Sequence, residues 1–60
     1  MNEAYLAQGL DPEGVPRVWA YARNEQAAQD EAWLEAWEYL KSRPDTGPFV
    51  EWEVVVELVE

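Results

Sequence analysis

Arg17, Trp19, Tyr21 and Arg23 alternate along one stretch, and in a strand all four stand on the same face. Aromatic rings with arginines beside them on an open sheet are the means by which single-strand binders stack nucleobases. The same rings also pack well against a second protein subunit, with the arginines paired to neighbouring glutamates. Glu51, Glu53 and Glu57 fall on this face too, and their field repels a phosphate chain. The stripe therefore reads as a protein interface, and no nucleic-acid partner is expected.

The carboxylates are the second group able to do chemistry. Glu51 and Glu53 lie two apart on one strand, while Glu31, Glu35 and Glu38 line one side of a helix. Close carboxylates can share a proton or hold Mg²⁺ or Ca²⁺. General acid–base work needs one carboxyl in a distinct, partly desolvated setting, and nothing in this spacing singles one out. They read as a solvated surface, with no metal or cofactor expected.

Nucleophilic catalysis has little material. There is no Cys and no His, and only Ser42 and Thr46 carry aliphatic hydroxyls. Gly9 and Gly14 match no phosphate-cradling pattern, and no Walker-type lysine accompanies them. The expectation is a protein that is not an enzyme.

The charge balance says what surrounds such a surface. Thirteen acidic and four basic residues give a net charge of −9, which favours solubility and suits a basic protein partner. The opening MNEAYLAQGL has no basic n-region, and no apolar run reaches the ~20 residues of a membrane span. No membrane partner is expected, and a cytoplasmic address follows by default. Three Arg to one Lys, with abundant Ala and Glu, is a composition in the manner of a thermophile or of a GC-rich genome.

Elements must hold these residues in place. A 60-residue chain makes a single domain, 1–60, that buries only ~60 % of its unfolded surface. Without cysteines or histidines, dense packing and self-association are its remaining supports. Asp11-Pro12-Glu13-Gly14 is a type I turn sequence. Its flanks, Glu3–Leu10 and Val15–Arg23, then form a hairpin. A competing reading makes Glu3–Gln8 a short helix capped by Asn2 and closed by Gly9. Asn24 caps a helix running from Glu25 to Ser42, with Pro44 beyond its end. Ala28, Ala32, Trp33, Ala36, Trp37, Tyr39 and Leu40 share one arc of it, and Leu34 falls on the polar side. Asp45-Thr46-Gly47-Pro48 is the next turn.

The final FVEWEVVVELVE alternates, so Phe49–Glu60 reads as a third strand with Val50, Trp52, Val54, Val56 and Leu58 on its core face. The expected fold is α+β: an open three-stranded sheet in β-β-α-β order, arranged 2-1-3, with one helix on one face. The crossover through the helix should be right-handed. Leu6, Val18, Ala20 and Ala22 are expected under the helix, covered by Trp33, Trp37 and Leu40. The eleven residues from Val50 to Glu60 would reach ~36 Å, whereas the helix of about 18 residues reaches ~27 Å. An edge strand longer than its cover points to a partner. The expectation is a small acidic interaction module that self-associates as a homodimer through its outer sheet face and third-strand edge. Its interface residues are Trp19, Tyr21, Val55 and Val59. The alternative is an inhibitor or antitoxin-like module that caps a basic protein.

Overall fold

The computed structural model describes residues 3–59. Asn2 and Glu60, named above as a cap and as a strand end, lie outside the described residues. Strand β1 (Tyr5–Leu10) and strand β2 (Pro16–Ala22) precede helix α1 (Glu25–Ser42), and strand β3 (Glu53–Leu58) follows it. The sheet order is β2-β1-β3, with β1 central and antiparallel to both neighbours. The helix packs on one face of this open sheet, so the α+β layout and strand order agree with the sequence.

The hairpin rests on Asp11. Gly14 N–H donates to the Asp11 carbonyl at 2.8 Å. The Asp11 carboxylate accepts from Glu13 N–H at 2.9 Å and Val15 N–H at 3.0 Å. Gly14 has φ +85°, a left-handed conformation that favours glycine. Tyr5–Leu10 is accordingly strand, and the helical reading of Glu3–Gln8 falls. At the start of α1, Asn24 Oδ1 accepts from Ala27 N–H at 2.8 Å, as its position before the helix requires.

The contact between helix and sheet differs from the expected one. Ala28, Ala32 and Ala36 are the buried positions of α1, and they meet Ala7, Gly9 and Val18. Antiparallel pairing sets Tyr5, Ala7 and Gly9 opposite Ala22, Ala20 and Val18, all on the helix side. Leu6 pairs with Tyr21 and Glu57, which places it on the outer face and corrects its expected burial. Trp33 packs against the buried cluster of Val18, Ala36 and Trp52, as expected, and Phe49 packs edge-on against both Trp33 and Trp37 at 5.3 and 5.4 Å between centroids. Trp37 remains exposed. Alanine on alanine and glycine brings the helix close to the sheet, and the indole that packs at this layer is that of Trp52, buried against Val18 and Ala36.

The third strand is shorter than expected. Pro44–Thr46 and Phe49–Glu51 form single 3₁₀ turns, with a cis Gly47–Pro48 bond between them. Val50 and Glu51 therefore leave the strand, and Val50 is 86 % exposed. Trp52 is buried, and its indole N–H donates to the Thr46 carbonyl at 2.8 Å. Six residues of β3 rise ~20 Å, within the ~27 Å of the helix. The excess strand length disappears, and with it that reason to expect a partner.

Close approach makes a specific prediction. A Cβ on Gly9 would sit 2.5 Å from Val18 Cγ2, a short branched side chain with little room to yield. Gly9→Ala and Ala32→Leu should each cost ~1–3 kcal/mol through overpacking. At this size that is a fall of about 4–8 °C in Tm per kcal/mol, read from thermal circular dichroism. An unchanged Tm in both variants would refute the close alanine layer.

Candidate functional site: the outer sheet face

The face away from the helix carries two cross-strand rows. Trp19, Gln8 and Val55 make one; Tyr21, Leu6 and Glu57 make the other. Rows form because opposite residues of an antiparallel pair share a face at ~4.5–5.5 Å between Cβ atoms. Trp19 is 53 % exposed, Tyr21 70 % and Val55 41 %. Val59 follows the end of β3, where its N–H donates to the Ala4 carbonyl at 2.9 Å, and its side chain is exposed. Trp19 and Val55 thus share one row across Gln8, Tyr21 stands beside Trp19 on β2, and Val59 lies at the far end of the face.

Leu6 and Gln8 belong to this surface although the residue pattern did not assign them to it. Leu6 drew attention for its apolarity alone. Leu10 pairs with Pro16, and the register shift between Gly9 and Leu10 then sets even-numbered residues of β1 opposite odd-numbered residues of β2. No residue pattern signals that shift.

One expected member of the stripe is committed elsewhere. The β1–β2 register shifts between Gly9 and Leu10, and Arg17 Nε donates to Asp11 Oδ2 at 2.9 Å. Its guanidinium is held protonated by Asp11 first and by Tyr39 next. The Asp11 carboxyl is held below the usual Asp range, chiefly by the Arg17 hydrogen bond and then by Val15 N–H. Arg17 therefore braces the hairpin turn, and the symmetrical arginine flanking of Trp19 and Tyr21 is lost.

The other polar groups likewise serve structure. Ser42 Oγ donates to the Tyr39 carbonyl at 3.2 Å, and Thr46 Oγ1 donates to the Arg43 carbonyl at 2.7 Å. With Glu51 in a 3₁₀ turn and Glu53 in β3, the expected carboxylate pair on one strand does not form. Among the described residues no three carboxylates gather where a metal ion could bind. Nor is any helix long and apolar enough to cross a membrane among the described residues. Only two ion pairs form among the described residues, Asp11–Arg17 and the exposed Glu38–Lys41 at 3.7 Å. Compared with protein-family models, curated proteins and solved structures, the chain matches none.

Asp11 gives the hairpin turn a pH signature. A carboxyl whose folded pKa lies below its ordinary value of 3.8 stabilises the fold fully above that value. The contribution is lost as pH falls through the lower, folded value. Urea midpoints of the native chain should therefore drop between pH 4 and pH 2 more steeply than those of Asp11→Asn. The variant should also be less stable at pH 7. Parallel curves would show that Asp11 does not brace the turn.

Proposed function

We propose that this chain is a non-enzymatic interaction module that self-associates as a homodimer, using the outer face of its sheet and the edge of β3. One observation carries the reading. Leu6, Trp19, Tyr21 and Val55 form an apolar surface with no element of the described chain packed over it. Exposed aromatic patches on a sheet face mark surfaces that meet a partner, and a two-fold axis lets one patch meet its own copy. Val59 extends this surface beyond β3.

The alternative, an acidic cap for a basic protein, is favoured by a different observation. Among the described residues only Asp11 and Glu38 have a cationic partner, so the other carboxylates are available to one. Salt separates the two readings. Screening weakens the repulsion between two copies of charge −9 and so strengthens self-association, whereas it weakens a complex of opposite charges.

Light scattering with size exclusion at micromolar concentration should give twice the 7.0 kDa chain mass, with the dimer favoured by added salt. Val55→Glu should return the species to 7.0 kDa while leaving the far-ultraviolet spectrum unchanged. A clean monomer under all conditions would overturn the reading. In that case a stoichiometric basic protein recovered from native lysate, and released by salt, would support the alternative.

A further inference from the structure

The open edge of β3 has a definite hydrogen-bonding phase. Val59 N–H bonds to the Ala4 carbonyl, and β1 pairs Leu6 with Glu57, Gln8 with Val55 and Leu10 with Glu53. Bonded and non-bonded pairs alternate in an antiparallel ladder. The N–H and C=O groups of Glu53, Val55 and Glu57 therefore point to β1, and those of Val54, Val56 and Leu58 point outward. Outward groups on an edge strand are a template for a further strand. Edges are commonly blunted by proline, bulges or register shifts. β2, the other edge, begins with Pro16 and carries the register shift; β3 has neither.

Charge then selects what can pair with this edge. Two registers of an antiparallel β3 pair, both two-fold symmetric, overlap nearly the whole strand. An axis through Val55 sets Glu53 opposite the partner copy's Glu57, a like-charge pair on each side. An axis through Val56 sets Glu57 opposite Val55, Glu53 opposite Val59, and Val54 opposite Leu58. Every carboxylate then faces an aliphatic side chain. Carboxylates approach one another only diagonally, at ~7–8 Å, where repulsion is weak and salt-screened. On the helix side the junction is apolar throughout: Val56 meets its own copy, and Val54 meets the partner's Leu58. Leu58 is 54 % exposed in the single chain, because α1 lies over β1 and β2 more than over β3.

We propose that two copies join β3 to β3 in antiparallel fashion with Val56 on the two-fold axis, forming one continuous six-stranded sheet. This inference rests on the self-association reading above and specifies its geometry. Trp19 and Tyr21 lie on β2, two strands away from the junction, and remain on the outer face of the joined sheet.

The chain contains no cysteine, so a single introduced thiol reports the register directly. Opposed residues of a bonded antiparallel pair are ~5.5 Å apart at Cα, within the span of a disulfide. Under mild oxidation Val56→Cys should form a covalent dimer at least ~10-fold faster than Val54→Cys or Leu58→Cys alone, because only residue 56 meets its own copy. An equimolar mixture of Val54→Cys and Leu58→Cys should crosslink efficiently as the mixed pair. That mixture carries the same test if Val56→Cys fails to fold. Native dimers without preferential crosslinking at 56 or between 54 and 58, and lost in Trp19→Glu, would overturn the edge geometry in favour of a face-to-face dimer. A native chain that scatters light as a monomer would overturn both the geometry and the reading beneath it.

Discussion

The close approach of α1 to the central strand is the constraint from which the rest of the molecule follows. Ala28, Ala32 and Ala36 lie one turn apart on a single line, and each is fully buried. Below them Ala7 and Gly9 offer almost no side-chain height. Alanine and glycine leave room at this layer for the Trp52 indole, which packs against Val18 and Ala36 with Trp33, Tyr39 and Phe49 around it. Phe49 fills the space beside Trp33 and Trp37, while Tyr39 lies 5.9 Å from the Trp52 ring. The two 3₁₀ turns deliver Phe49 and Trp52 to those places, and the indole bond to the Thr46 carbonyl ties the second turn to the first.

Elements bounded by strong local chemistry were legible in the sequence. Asp11-Pro12-Glu13-Gly14 specified the hairpin, and Asn24 with Pro44 bracketed a helix found at Glu25–Ser42. The strand order followed from the crossover. Helical spacing placed Ala28, Ala32 and Ala36 on the covering arc, and all three are buried. Legibility failed in β1, where Ala7 and Gly9 say little about facing, whereas Leu6 asserts itself and faces outward. The alternation of FVEWEVVVELVE misled at its start for a related reason. A 3₁₀ turn ending beside Trp52 leaves that residue buried, so period two continues in the letters after it has stopped in the backbone. Of the candidate surface, Trp19, Tyr21 and Val55 were readable from strand parity, but Arg17 was not. Its commitment to Asp11 depends on a register shift that only the folded hairpin reveals.

Small residues at the layer contact also limit what one copy can bury. No large side chain is completely buried among the described residues. Apolar burial scales with area at ~25 cal/mol per Å², so an alanine layer contributes less than a layer of leucines would. Meanwhile Trp19, Tyr21, Leu34, Val55 and Leu58 stand largely in water. A partner covering these side chains would add apolar burial to that of Trp52, Val18 and the alanines. Binding that involves only the folded state raises apparent stability by mass action. Fold and assembly would then be coupled in concentration.

The glutamates of β3 have two consequences that first look opposed. Their charge keeps an apolar strand edge in solution and discourages indiscriminate pairing, the usual reason for charge on an edge. Repulsion is not uniform over registers, however. It acts wherever Glu53 meets Glu57 or either meets itself, and it is weak where both meet valine. A strand with glutamate at every second position throughout would repel in every in-phase register. Val55 interrupts that series between Glu53 and Glu57, and Val59 follows it. The interruption leaves one permitted alignment among those that overlap most of the strand, so the charges that exclude other pairings also define the remaining one.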